Sequence, residues 1–285
     1  MESSTSTDFF ERYSGEEDQY GFSLESCKTS EKYFRFLYQK WFQVTIVGLE
    51  NIPSEGRAVL CGNHSGVLPL DGCMLYDGII QFHPQPRRVR FLVNEFIRSM
   101  PVIGDTIRGF GGVPAKYDVA IELLKKEELV LFYPEAEKGT GKLFKDRYEL
   151  IDFNPGFIKA AIETGSKIVP ITTVGGDEIY PLLGNLKPVA KIMGAPYWPI
   201  TPFYPWLPFP FNAIPLPIKL LICIGKPIDL GYPAEQAENR PLLESEAAKI
   251  QQDIQAQLND LLAIRKSPFT KWDAEDVKDF LEHRR

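Results

Sequence analysis

Short apolar runs of strand length recur along this chain, and a stretch with helical spacing lies between one and the next. The runs are 58–61, 89–94, 129–133, 167–173 and 220–224, and 42–49 alternates well enough to be a strand ahead of them. Between them, 72–80, 117–126 and 154–164 read as helices. A chain that alternates in this way lays its helices as crossovers on a sheet whose strands run mostly parallel. The expected fold class is α/β: a mixed, largely parallel sheet with crossover helices, an N-terminal amphipathic helix and a C-terminal helical extension.

The ends set the expected organisation. Residues 1–29 are polar and acidic without a repeating pattern, and read as a mobile arm. Beyond Ser30, aromatic and aliphatic residues stand at Tyr33, Phe34, Leu37, Tyr38 and Trp41, a helical stripe with Ser30 as its cap and Lys32, Arg35 and Lys40 beside it. That helix either packs on the body or lies at a lipid interface, rings among the headgroups and cations on anionic lipid. Residues 30–232 form the α/β domain. The remainder, 233–285, is expected as a helical extension packed on it, with a long helix broken near Pro241 and Ile250, Ile254, Leu258, Leu261 and Leu262 on one face. One block stands apart: 196–217, PYWPITPFYPWLPFPFNAIPLP, has too much proline for a helix or a central strand. It is either a rigid packed connection or a surface that covers an acyl chain or touches lipid.

With 32 basic against 38 acidic groups the formal charge is −6, which disfavours a non-specific nucleic-acid binder. Cys27, Cys61, Cys73 and Cys223 lack metal-ligand spacing and suit reduced thiols. There is no secretory signal at the start and no apolar run long enough to cross a bilayer, so the expected location is cytoplasmic.

The chemistry-bearing stretch is 58–71, AVLCGNHSGVLPLD. A strand stops at Gly62, His64 follows, and Asp71 arrives after a turn containing Gly66 and Pro69. On one helix these two would stand ~10 Å apart, beyond hydrogen-bond reach, so the turn must fold for the carboxylate to orient the ring. Asp71 also suits a helix N-terminus in its own right. No serine or cysteine has the setting of a nucleophile, and a G-x-S-x-G elbow is absent. A histidine–acid pair without a nucleophile of its own suggests that the substrate supplies a hydroxyl. One histidine and one acid are a poor ligand set, and no metal is expected. Seventy residues on, 129–142, LVLFYPEAEKGTGK, empties a second strand into Glu135 and a loop with Lys138, Gly139 and Lys142, read as flexible and cationic and able to wrap an anion. Arg108 and Lys116 are further possible anion contacts.

Together these segments resemble the glycerolipid acyltransferase family of the lysophosphatidate acyltransferase type, most closely the branch related to diacylglycerol and phytol acyltransferases. The matching boxes are NHSGVLPLD (63–71), GFGGVPAK (109–116), FYPEAEKGTGK (132–142) and KIVPI (167–171), and the resemblance runs from about residue 48 to 228. It implies that His64 is the general base and Asp71 its orienting partner. Glu135, Gly139 and Lys142 would belong to the acceptor-side site, and Pro170 would shape its floor. The implied reaction moves an acyl group from a thioester, on coenzyme A or an acyl carrier protein, to a lipid hydroxyl, with no other cofactor and with peripheral membrane contact. The chain departs from the family in three ways. Six residues separate His64 from Asp71 where four are usual, the third-box glycine is Ala136, and the second-box arginine is replaced by Ala115–Lys116 with Arg108 upstream. The last departure weakens the case for a phosphorylated acceptor, so lysophosphatidate, diacylglycerol and a long-chain alcohol all stand. A hydrolase of lipid esters or thioesters, and a non-catalytic lipid-binding protein on the same fold, are the alternatives.

Overall fold

Side chains that alternate between two apolar faces draw seven strands into one sheet. The structure is a computed structural model and describes residues 4–64, 70–101, 103–195 and 197–283. In chain order the strands are β1 (Thr45–Val47), β2 (Ala58–Gly62), β3 (Val89–Val93), β4 (Gly112–Pro114), β5 (Leu129–Phe132), β6 (Lys167–Val174), β7 (Gly184–Asn185), β8 (Pro199–Ile200) and β9 (Leu221–Ile224). The main sheet has the order β1-β9-β6-β2-β5-β3-β4, while β7 and β8 pair apart. From β6 to β4 the strands run parallel; β9 and β1 run the other way. This is the mixed, largely parallel sheet that the alternation of runs predicts.

The helices are α1 (Ser4–Arg12), α2 (Leu24–Phe36), α3 (Leu70–Phe82), α4 (Glu95–Arg98), α5 (Ile103–Gly109), α6 (Tyr117–Lys125), α7 (Ala136–Thr140), α8 (Gly156–Thr164), α9 (Gly176–Ile179), α10 (Lys187–Met193), α11 (Arg240–Ile264) and α12 (Ala274–His283). On β2, Ala58 and Leu60 enter the core under α1–α3, and Val59 and Cys61 enter the core under α6, α8 and α11. Leu129 and Leu131 against Val130 repeat that two-residue period on β5. Each fully buried aliphatic side chain contributes roughly 1.5–3 kcal/mol. A third cluster, with Leu258, Leu261, Trp272 and Val277, closes the β1–β9 side under α11 and α12.

Residues 4–29 are not the mobile arm that their polarity suggests. Phe9, Tyr13, Phe22 and Cys27 are buried in the first core. The acidic residues between them neutralise arginines of the sheet side: Asp18 Oδ2 lies 2.5 Å from the Nη2 of fully buried Arg90, and Glu16 Oε2 lies 3.2 Å from Arg88 Nη1. An unpaired guanidinium at those depths would carry a heavy desolvation penalty. Helix α2 begins at Leu24 rather than Ser30, with Ser23 Oγ accepting from the Ser26 N–H at 3.3 Å. Past Phe36 it widens into a π turn, Leu37–Trp41, which buries Leu37 and Tyr38 and leaves Tyr33 and Phe36 exposed. The 101–112 connection contains α5. The C-terminal helical stretch is interrupted near Pro241, as expected: a 3-10 helix, Ala234–Glu238, ends at Asn239, which caps α11, and Pro241 sits in the first turn of α11, where its missing N–H loses nothing.

A narrow cavity of about 30 Å³ lies between α1, α2, α3 and β3, lined by Phe10, Cys27, Phe34, Phe91 and Asp77 among others. Burial pushes Asp77 up to about 7; Arg35 and a hydrogen bond from Gln81 pull it down, and Glu31 pushes it further up. The folded protein therefore holds a proton here that the unfolded chain releases above pH ~4. Stability from this group falls as pH rises from about 4 to 7 and is flat beyond. Asp77→Asn should raise the unfolding free energy at pH 8 by on the order of 2–4 kcal/mol, with the gain gone near pH 4. Urea unfolding of both proteins at the two pH values measures it, and an equal effect at both would reject the account.

Candidate active site

Because β5, β2 and β6 are parallel neighbours, their carboxyl ends stand at one edge, and His64, Glu135 and Asp177 follow those three ends. Open α/β sheets bind ligands at such an edge. Asn63 sets the exit of β2. Its Nδ2 donates to the Thr173 carbonyl at 3.0 Å, and its Oδ1 accepts from the Thr173 N–H at 2.8 Å, which continues the ladder to β6 through a side chain. The next residue is then released from the sheet.

That residue, His64, is half-buried, and its Nδ1 lies 3.0 Å from Oδ2 of Asp71 in the first turn of α3. The turn expected to join them, with Gly66 and Pro69, falls in 65–69, outside the described residues; its two ends do meet. Asp71 is 1% exposed, and its Oδ1 accepts from the Gly72 N–H at 2.8 Å. A carboxylate against Nδ1 keeps the proton there, so Nε2 presents a lone pair, the arrangement of a general base. Tyr133 stacks on the imidazole with centroids 4.0 Å apart and planes at 16°. Burial holds its hydroxyl well above the ordinary tyrosine range, with Asp71 adding to the shift, so it stays neutral. A Cβ on Gly72 would stand 3.1 Å from that hydroxyl oxygen, so α3 passes close to the ring.

Glu135 lies beneath His64 and spends both oxygens. Oε1 accepts from the His64 backbone N–H at 3.4 Å, and Oε2 accepts from Ile151 N–H at 2.9 Å and Lys142 Nζ at 3.1 Å. Lys142 also donates to the Glu149 carbonyl at 3.1 Å and is buried. The expected flexible cationic loop is therefore a short helix, α7, followed by a lysine that turns inward to a carboxylate. Gly139 is required by close approach: a Cβ there would stand 2.8 Å from the Glu135 Cβ and 3.1 Å from the His64 carbonyl oxygen. Lys138 is exposed. Beyond Lys142, burial pushes Asp177 up to about 6 against the pull of that lysine, and its Oδ2 accepts the Tyr148 N–H at 2.8 Å.

Ala136, at the third-box position where the family resemblance expects glycine, has φ +50°. An L side chain in that region is strained by about 1 kcal/mol relative to glycine. Ala136→Gly should therefore raise the unfolding free energy by roughly 0.5–1 kcal/mol, a shift in Tm that a loop without fixed backbone would not show.

The other predicted residues lie apart from this cluster of contacts. Arg108 pairs with Asp105 and donates to the Arg98 carbonyl, on α4 and α5. Lys116 is exposed ahead of α6. Pro170 sits on β6 opposite Cys61, and a Cβ on Gly225 would stand 2.8 Å from its ring. Among the described residues no three His, Cys, Asp or Glu side chains gather as a metal set. Asn63, Tyr133 and Asp177 were not foreseen. Only Asn63, directly before the histidine at a strand end, offered a signal.

The family model described as Acyltransferase matches residues 43–174, a span that holds His64, Asp71, Glu135, Lys142 and Pro170. An uncharacterized protein of Mycobacterium leprae is 39% identical over 255 residues, covering 88% of this chain and 69% of that one. A chloroplastic 1-acyl-sn-glycerol-3-phosphate acyltransferase of Arabidopsis thaliana is 28% identical over 169 residues, 53% of this chain and 43% of its own. The crystal structure of the 1-acyl-sn-glycerophosphate acyltransferase PlsC from Thermotoga maritima shares the fold, with a TM-score of 0.54 at 20% identity over 84% of this chain and 80% of that one. The family match falls on the boxes read from the sequence, and the shared fold agrees with it: the chain belongs to the acyltransferase family and is an enzyme of that class.

Proposed function

We propose that this protein transfers a fatty acyl group from a thioester, acyl-CoA or acyl carrier protein, to the hydroxyl of a lipid at a membrane surface, with His64 as general base. The observation that carries the reading is the 3.0 Å contact of His64 Nδ1 with Asp71 at the carboxyl edge of the sheet. The acceptor hydroxyl gives its proton to Nε2 as its oxygen attacks the thioester carbonyl, and Asp71 stabilises the imidazolium that forms. The tetrahedral intermediate then expels the thiolate, which recovers a proton from His64. No acyl-enzyme is needed, and the nearby thiols are poorly suited to one: burial pushes Cys73 up to about 12 and Cys61 well above its usual range. Glu135, Lys142 and Gly139 hold the histidine backbone, and Pro170 shapes the floor. Arg108, Lys116 and Lys138 are left as outer contacts for the donor or acceptor.

Charge balance supports a neutral acceptor. Lys142 and Arg108 each face a carboxylate of this chain, and Lys116 and Lys138 are exposed. Diacylglycerol or a long-chain alcohol fits this better than a phosphorylated alcohol, which favours the branch related to diacylglycerol and phytol acyltransferases. The name of the Arabidopsis relative keeps lysophosphatidate in the test. Purified protein is given acyl-CoA or acyl-carrier donors with lysophosphatidate, diacylglycerol, a long-chain alcohol or water alone, beside His64→Ala. An ester of a neutral alcohol, absent in the variant, is the expected product. Free fatty acid as the only His64-dependent product would make the protein a hydrolase. Lipid binding without turnover would make it a binding protein.

A further inference from the structure

Between α9 and β9 the chain leaves the sheet for some forty residues that carry α10, β7 and β8. This excursion is unlike the rest of the protein in two respects. Residues 179–228 contain Lys187, Lys191, Lys219 and Lys226 and no aspartate or glutamate, in a chain whose net charge is −6. Large apolar side chains also stand out into solvent here: Ile192 is 83% exposed, Phe209 82% and Trp206 68%, with Met193 and Phe211 more than half exposed. Scattered apolar exposure is ordinary, but so many large side chains on one stretch of chain mark a surface that something covers.

The patch continues onto α2. Trp41 Nε1 donates to the Pro215 carbonyl at 3.1 Å, Tyr180 Oη donates to the Ala213 carbonyl at 2.7 Å, and Phe36 lies 6.3 Å from Trp41 between ring centroids. These contacts set the exposed Phe36 beside the excursion, and the exposed Tyr33 lies close enough to Tyr180 to act on its hydroxyl electrostatically. The patch also adjoins the site. It departs from the carboxyl end of β6, the edge that holds His64, and the Leu182 carbonyl accepts from the Phe144 N–H at 2.8 Å, two residues beyond Lys142.

We propose that α10, the segment 197–214 and the exposed rings of α2 form one membrane-docking surface that seats on a bilayer carrying anionic lipid. Tryptophan and phenylalanine settle at the headgroup boundary, and Lys187 and Lys191 reach outward to anionic headgroups from the same short helix that buries Ile192 and Met193. The absence of acids decides between occupants. A second copy of this chain meeting the face across a two-fold axis would set lysine against lysine, whereas an anionic bilayer complements it. The seat would hold the His64 edge over the lipid that supplies the hydroxyl. That purpose rests on the reaction proposed above; the docking itself does not.

The test is flotation of the full chain with vesicles of phosphatidylcholine alone and of phosphatidylcholine with phosphatidylglycerol. Wild type should float with both and more with the anionic mixture. Ile192→Asp/Trp206→Asp/Phe209→Asp should lower partitioning about tenfold or more at unchanged Tm, since all three side chains lie mainly in solvent. Lys187→Glu/Lys191→Glu should remove the preference for anionic vesicles. Brominated lipid should quench tryptophan emission, and Trp206→Phe should lose most of that quenching. Transfer to a water-soluble short-chain alcohol should be unaffected by the triple substitution, which separates loss of docking from loss of chemistry. Equal flotation of wild type and triple variant, no flotation at all, or a wild-type dimer in sedimentation that the triple variant dissolves would each overturn the proposal, the last in favour of a second copy.

Discussion

Asp71→Asn should lower kcat about a thousandfold to ten-thousandfold while leaving the KM for the acceptor nearly unchanged. The carboxylate is buried and lies 3.0 Å from Nδ1, where it acts on the ring. An amide in its place keeps the size and the bond from the Gly72 N–H. It can also turn its NH₂ toward Nδ1, which moves the ring proton to Nε2 and leaves no lone pair to accept from the hydroxyl. It offers no negative charge to the imidazolium either. The effect therefore belongs to the transition state, and the fold should survive. Steady-state kinetics and a melting curve on one preparation decide it. A loss under tenfold at unchanged Tm would reduce Asp71 to a carboxylate at a helix N-terminus and remove the base from the mechanism.

Why the pair could be named from sequence, and its setting could not, follows from what each depends on. The strand–helix alternation is a local pattern, and buried parallel strands announce themselves by short apolar runs, so the sheet and the exits of β2 and β5 were legible. His64 and Asp71 were legible as residue types in one loop, but whether they meet depends on a turn that no periodicity describes. Tyr133 reads as the last residue of a strand; only the side-by-side placement of β2 and β5 lays it on the imidazole. The N-terminal segment failed for a related reason. Its acids look solvated in the sequence, yet Asp18 meets Arg90 across 72 residues. Charge in a sequence says nothing about where its partner is. Lys142 makes the same point at short range: beside Gly139 and Gly141 it looked like a flexible anion-binding lysine, and its partner proved to be the carboxylate seven residues earlier.

That pair supports the second large expectation. Lys142→Met should cost about 3–5 kcal/mol in urea unfolding, because it leaves the Glu135 carboxylate buried without its cation. Glu135 still accepts from Ile151 and His64 backbone N–H groups, which are dipoles and offset only part of a full charge. In Glu135→Gln/Lys142→Met the stranded charge is gone, so the double variant should be more stable than Lys142→Met alone, a coupling read directly from the double-mutant cycle. Activity should behave differently from stability. Glutamine puts an NH₂ in place of one acceptor, so either the His64 or the Ile151 N–H loses its partner and the histidine backbone is less firmly held. The double variant should therefore recover stability without recovering transfer. If Lys142→Met unfolded within about 1 kcal/mol of wild type, water would have to reach the pair, and Glu135 would be a solvated acid facing the acceptor, not the clamp on the backbone of the base.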